Sequence, residues 1–472
     1  MRRRWLATAC LTMAFAMVAV ACGDDDATTT SQATTTTAGA ATQATTTTEA
    51  PPEEIAHDVG VTLAPCPDAV NEGNGCIYLG VITDLSGPFA GFGGPITTAQ
   101  EDFWAAVNTD GGIDGFDVII TAENSFDAGY DLVPTPGPNT ANAAATLSTR
   151  VLALAQILGT PPTQSALGIL EENDMIAAPA GWWSGWSFND EDQGLILESG
   201  APYCFEGMNG MSFMASVLPE GFTWALVALN SDYGQDYAAG VKIAAAQLGL
   251  GDPVAEIEQV SYVAGGDAAI ASTVGALLPL QPNLIVIVTG PSEFARITGG
   301  LVTQGFTAFA VLGASPAWHP VLLTGDTAAL VPFWTAAASF TYPWGPWDTD
   351  SPGHAAMRAA AEANERDPNP GYGAGWVWSY PIREAIAQAI ASSDLTRANV
   401  RAVAESLEGV GYDGILPDGS FAGDPADRVV RSTWVVGVDA EANGGVSPKA
   451  DAFISELAAA YPYEGPCFVI SG

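Results

Sequence analysis

The strongest constraint on this chain is an alternation, written twice over, of short apolar runs with segments of helical period. Apolar runs of strand length followed by apolar residues at spacings of three and four call for strands joined by crossover helices, the parallel βαβ arrangement. Cys76 to Thr83 reads as the first strand, and Pro95 to Asn108 as a helix with Ile96, Ala99, Phe103 and Val107 on one face. Gly111 and Gly112 stop that helix in a conformation glycine adopts cheaply. Strands are expected at Phe116 to Thr121, Ala155 to Gly159 and Met175 to Ala178, with helices at Ala141 to Leu154 and Thr163 to Glu171.

After a break near Gly210 the alternation restarts. Strands are expected at Trp224 to Leu229, Ala255 to Val263, Leu284 to Thr289 and Ala308 to Gly313, with helices at Tyr237 to Leu248, Ile270 to Leu278 and Glu293 to Gln304. Helices at Ala355 to Asn364, Trp376 to Ala391 and Ala398 to Glu408 and a late strand at Thr433 to Val438 complete the pattern. The fold class is therefore α/β, two doubly wound parallel-sheet lobes joined by a hinge of several crossovers. The expected division is lobe 1 over 66–210 and 344–427, and lobe 2 over 211–343 and 428–472. Ligands of such sheets sit at the carboxyl ends of the strands, where helix N-termini point N–H groups outward. Two lobes facing one another there would form a closing clamp.

The start of the chain reads as an address. Arg2, Arg3 and Arg4 precede an apolar stretch from Leu6 to Ala21, too short for a comfortable membrane span, and Val-Ala-Cys ends at Cys22. Residues 1–21 read as a secretory leader and Cys22 as the lipidated first residue of the mature chain, which ties the protein to the outside of a cell membrane through lipid. Residues 22–65 read as a tether, because Ala27 to about Glu54 is Thr, Ala, Gln and Pro with hardly an aliphatic side chain. Beyond the leader, Cys66, Cys76, Cys204 and Cys467 make an even set for an oxidising compartment. Of three possible pairings, Cys66 with Cys76 is preferred for closeness in sequence, leaving Cys204 with Cys467.

Charge excludes other classes. The chain of 472 residues carries a formal net charge of −39, the opposite of what a phosphate-backbone binder needs, so nucleic acid is not an expected partner. Its two lysines, Lys242 and Lys449, follow no glycine-rich phosphate loop. With no CxxC and three histidines (His57, His319, His354), no metal and no cofactor is expected. Asp439, Glu441, Asn443 and Gly444 imitate the start of a calcium loop, but position twelve is Ala450; an Asn-Gly hairpin turn explains the same residues. No G-x-S-x-G elbow is present, and Ser212 and Ser292 lie in the wrong frames, so a secreted hydrolase is disfavoured and no catalytic residues are assigned.

The segment IYLGVITDLSGPFAGFG (77–93), the AAVN ending at 108 and GGIDG (111–115) together closely resemble the type I periplasmic binding proteins. The branch they resemble is the branched-chain amino acid (Leu/Ile/Val) binding proteins of ABC importers. Further similar blocks are ILGTPPTQSA (157–166), MIAAP (175–179), NSDYGQDYAAGVK (230–242) and LIVIVTGPSEFARITGGLVTQGF (284–306), so that the resemblance spans roughly 76–438. It implies an extracytoplasmic receptor that captures a small neutral or zwitterionic solute by lobe closure and delivers it to ABC permease subunits. The same fold also serves as a sensing module for a signalling partner, and only the partner separates the two.

The resemblance places candidate ligand contacts loop by loop. Phe92 falls where the family often has an aromatic residue, Thr160 where it uses a hydroxyl on the ligand carboxylate, and Ala180 where backbone groups serve the same end. Trp182 falls where relatives have a Thr, Tyr233 matches the second-lobe tyrosine, and Ser86 with Gly87 offers backbone N–H groups. Ser315 stands where the family has the acidic partner of the ligand ammonium, and a second acidic position near Met211 is missing too. An ammonium enclosed without a countercharge loses several kcal/mol; Glu293 and Asp232 are the acids in neighbouring loops that can substitute. The run AGWWSGW adds Trp183 and Trp186 beside Trp182, aromatic faces suited to an apolar or cationic group.

Overall fold

The computed structural model describes residues 55–130, 138–188, 194–259 and 266–470. The leader and Cys22 lie outside the described residues, as do residues 260–263 of the expected strand at Ala255 to Val263. Two sheets organise the body. In the first, Gly75–Thr83 lies between Phe116–Asp127 and Ala153–Ile157, parallel to both, and the short strand Val61–Thr62 pairs antiparallel with it. Isolated bridges from Leu154 to Ala177 and from Ala177 to Ile196 extend that sheet. The second sheet has seven strands in the order Val446–Phe453, Thr433–Val438, Ala338–Tyr342, Ala310–Ala314, Leu284–Val288, Trp224–Leu229, Glu256–Gln259.

Chemistry explains the placement. Leu284–Val288 is LIVIV, every residue buried, because a parallel strand flanked on both edges is covered by helices on both faces and has no side for polar residues. The pairings Trp224 with Leu284 and Val286 with Leu312 fix the register. The chain leaves the first sheet before helix Tyr203–Val217, which packs on Asp232–Gln247 and on the second sheet. After Tyr342 it returns, laying Pro352–Ala363 and Pro370–Ala391 on Ala90–Thr109, and it re-enters the second sheet at Thr433. Helix Pro370–Ala391 approaches closely because it opens on glycines: a Cβ on Gly375 would sit 2.3 Å from the Ile96 carbonyl oxygen.

The α/β class with parallel-rich sheets stands, with amendments. Thr433–Val438 is antiparallel to Ala338–Tyr342 and forms a hairpin with Val446–Phe453, so one edge of the second sheet is antiparallel. Asn443 and Gly444 do lie in that hairpin connection, Gly444 with φ of 75°. The break expected near Gly210 is the interior of helix Tyr203–Val217, and Met175 to Ala178 makes only the isolated bridges at Ala177. The helix expected to run to Leu154 ends at Leu147, because the buried run Ala153–Ile157 is taken by the sheet. The last part of the expected tether is built into the fold: Ala56–His57 pairs with Asp394–Leu395, and Ile55 is buried.

Both expected disulfides are present, Cys66 with Cys76 and Cys204 with Cys467. The second fastens the first turn of helix Tyr203–Val217 to the C-terminal segment. Among the described residues no helix is long and apolar enough to cross a membrane, and no cluster of three metal-binding side chains occurs.

Candidate functional site

A cavity lies where the carboxyl ends of the two sheets' parallel strands face one another. The first sheet contributes Phe89, Phe92 and Ile96 after Gly75–Thr83, Tyr130 after Phe116–Asp127, and Leu158 and Gly159 after Ala153–Ile157. Ala180, Gly181 and Trp182 follow the bridge at Ala177, and Ala374 and Trp378 come from helix Pro370–Ala391. The second sheet contributes Asp232 and Tyr233 after Trp224–Leu229, Ser315 and Pro316 after Ala310–Ala314, and Trp344 after Ala338–Tyr342, with Tyr203 from the adjoining helix. The position is the one that strand direction dictates for an α/β ligand site.

Rings make the walls. Trp182 stacks on Trp378 at 4.6 Å between centroids and on Trp344 at 5.3 Å, and meets Tyr203 edge-on at 5.8 Å. Its indole N–H donates to the Ser199 carbonyl at 2.7 Å, which fixes the ring plane. Tyr203 lies 4.9 Å from Tyr233, whose hydroxyl donates to the Thr289 carbonyl, and Phe89 meets Tyr130 at 4.6 Å. Gly159, at φ of 88°, has to be glycine: a Cβ there would stand 2.1 Å from the Tyr130 ring.

Against this apolar lining stands one carboxylic acid among the described residues. Asp232 opens helix Asp232–Gln247, a position that suits a negative charge, and is 4% exposed. Burial pushes its carboxyl up to about 6, opposed by the Thr160 hydroxyl and by the Tyr233 and Asp232 backbone N–H groups. Its Oδ1 accepts no hydrogen bond, nor do the buried Ser315 Oγ and Thr160 Oγ1 make one of good geometry. Among the described residues no Lys, Arg or His lines the cavity. Buried polar atoms are normally satisfied, so unsatisfied ones around a cavity mark where an occupant's polar groups would go.

Of the residues singled out in the sequence, Phe92, Ala180, Trp182, Tyr233 and Ser315 line this cavity. Ser86 does not: Asp84, fully buried, accepts the N–H groups of Ser86, Gly87 and Phe89, so this turn spends its donors on its own carboxylate. Thr160 is buried behind Gly181, its hydroxyl on the side of Asp232. Trp183 and Trp186 pack edge-on in a separate core cluster, with the Trp183 N–H on the Phe468 carbonyl. Glu293 is buried, its carboxyl raised by burial, and lies off the cavity wall, whereas Asp232 is on it. Met211 is interior to helix Tyr203–Val217 and fully buried.

Sequence reasoning missed Phe89, Tyr130, Tyr203, Trp344 and Trp378. Trp344 was hidden because the strand Ala338–Tyr342 before it went unread. Trp378 had a signal, the Gly371 and Gly375 spacing of four, which marks one helix face packed at backbone distance and continues to position 378.

One turn below Asp232, the buried Asp236 accepts from Ser184 N at 3.0 Å, Ser184 Oγ at 2.5 Å and Cys204 N at 3.2 Å. Cys467 N donates to Ser184 Oγ, and Tyr463 donates to the Ser184 carbonyl. Burial pushes the Asp236 carboxyl up to about 7, against the pull of those donors. This knot joins the loop of Trp182, the helix of Tyr203 and the helix of Asp232.

Comparison with known proteins gives a consistent picture. A family model described as periplasmic binding protein matches residues 76–445. No curated protein matches the chain by sequence. Among solved structures, a fatty acid ABC transporter substrate-binding protein from Thermomonospora curvata is 26% identical, with 85% of this chain and 97% of that one covered at a TM-score of 0.72. A branched-chain amino acid ABC transporter protein from Thermus thermophilus with bound valine is 16% identical, covering 83% and 100% at 0.65. A solute-binding protein from R. palustris in complex with benzoate is 14% identical, covering 81% and 98% at 0.62. These similar proteins are substrate-binding components of transporters, not enzymes.

Proposed function

The chain belongs to the periplasmic binding protein family, and from that premise we propose that it is the solute receptor of an ABC importer, capturing one small molecule in the cavity between its sheets. The observation that carries this reading is the cavity itself: ring-walled, at the facing strand ends, with Asp232 Oδ1 and Ser315 Oγ buried and accepting no hydrogen bond. Phe92, Ala180, Trp182, Tyr233 and Ser315 contact the solute directly, and Thr160 acts from behind through Asp232. The solute has an apolar body and a nitrogen that donates hydrogen bonds; an amino acid or amide is the class that the family resemblance suggests.

Two lobes close on it. One holds the first sheet with helices Pro352–Ala363 and Pro370–Ala391, the other the second sheet with helix Tyr203–Val217, so the expected boundary at 210 moves ahead of Tyr203. The relatives' roles support delivery to permease subunits at an extracytoplasmic membrane surface. Cys22 carries the lipid that keeps the receptor there. Cys22→Ala is expected to abolish membrane retention, read by fractionation of cells expressing the full chain.

A solute that binds the native state alone raises the melting temperature by mass action. Screening the purified protein against amino acids, amides, carboxylates and amines is expected to give hits lost in Trp182→Ala. Hits unaffected by that substitution would put the solute elsewhere, and an empty screen would count against a receptor.

A further inference from the structure

Resting on the reading of this cavity as the solute site, we infer that the solute is an organic ammonium with an apolar body and no carboxylate, its charged nitrogen on Asp232 and its body against the Trp182, Trp344 and Trp378 rings.

The charge of the lining points this way. Among the described residues Asp232 is the one acid on the cavity wall, 4% exposed, with Oδ1 accepting nothing. An ionised carboxylate held out of water calls for a cation, and none of the described lining residues supplies one. The rings around it present negative faces, and aromatic faces enclosing a cation are a recurring way to hold alkylammonium groups. A chain of net charge −39 also draws cations toward the cavity.

The absence of a solute carboxylate follows from Thr160. The resemblance assigns that hydroxyl to a ligand carboxylate, yet here it sits on the side of the protein's own carboxylate, Asp232. A solute carboxylate brought to Thr160 would meet Asp232 as a like charge in a poorly screened interior. The chain's own acid thus occupies the role that the acid group of an amino acid would fill. Ser315, whose hydroxyl is buried and unpaired on the same wall, can accept a second N–H of the ammonium.

Matched compounds decide it. The full chain, unfolded and refolded to strip any carried solute, is titrated calorimetrically at neutral pH with three triplets. These are phenethylamine, phenylalanine and 3-phenylpropionate; tryptamine, tryptophan and indole-3-propionate; and hexylamine, norleucine and hexanoate. In at least one triplet the amine is expected to bind tighter than its amino acid by roughly tenfold or more, and the acid weakest of all. Asp232→Asn is expected to weaken the amine by roughly 10- to 100-fold, and Asp232→Glu by less, since it keeps the charge. Tighter binding of an amino acid or acid than of its amine would overturn the inference while leaving the receptor intact. Equal affinity of the amine for wild type and a folded Asp232→Asn would also overturn it. Binding of no compound would count against inference and receptor together.

Discussion

Asp232 and Asp236 stand one turn apart on the same helix, both buried and both raised in pKa by that burial, yet they do opposite things. Asp236 is saturated: three donors from Ser184 and Cys204 converge on it, and the C-terminal segment closes over the same serine. Asp232 faces the aromatic cavity with Oδ1 unbonded. Burial alone therefore says little about an acid's role. What separates a fastener from a contact point is whether the protein completes the acid's hydrogen bonds or leaves them to an occupant.

The contrast can be broken most forcefully at its covalent end. Replacing Cys204 and Cys467 together by Ala should lower stability by about 3–5 kcal/mol, since the bridge closes a very long loop, and should loosen the Ser184 knot. Urea unfolding of the double variant measures it. Next, Asp236→Ala should lose about 2–4 kcal/mol, because it leaves buried donors on Ser184 and Cys204 without an acceptor. The same site sets a pH signature. With the folded pKa raised from 3.8 to about 7, the native state keeps a proton that the unfolded chain has released. This contribution is whole below 3.8 and is lost as pH rises through about 7. The advantage of wild type over Asp236→Asn should therefore shrink between about pH 4 and pH 8, by a few kcal/mol.

Asp232→Asn should run the other way. Removing a buried charge that has no countercharge among the described lining residues should raise the stability of the solute-free protein by roughly 1–3 kcal/mol at about pH 8, so stability and solute affinity move in opposite senses at this residue. A loss of stability there would erase the distinction from Asp236. The smallest effect belongs to Thr160→Ala: if its hydroxyl acts on the solute through Asp232, as proposed, the change should weaken binding by about 1 kcal/mol with little change in stability.

The sheets were readable because their strands are apolar runs with no polar face, as in Leu284–Val288. Trp224–Leu229 and Thr433–Val438 have the bounds expected of them. Helix Tyr203–Val217 escaped because it is buried between another helix and a sheet with Glu206 and Asn209 set among its apolar residues, and so shows no periodic stripe. Of the residues that line the cavity, those soon after readable strands were legible, such as Tyr233 and Ser315, and Phe92 in the helix that follows Gly75–Thr83. Those reaching the cavity from unread elements, Tyr203 and Trp344, were not. Ser86 was misplaced because sequence shows that a turn has N–H groups but not that Asp84 already takes them. Asp232 and Glu293 looked equivalent as acids near strand ends, and only packing separates the one on the cavity wall from the one off it.

The most direct test is a crystal structure of the protein with the tightest-binding solute of the screen. The account predicts the solute between the Trp182 ring and Asp232, with a nitrogen within hydrogen-bonding distance of Oδ1. A solute bound elsewhere, with this cavity holding only water, would contradict it.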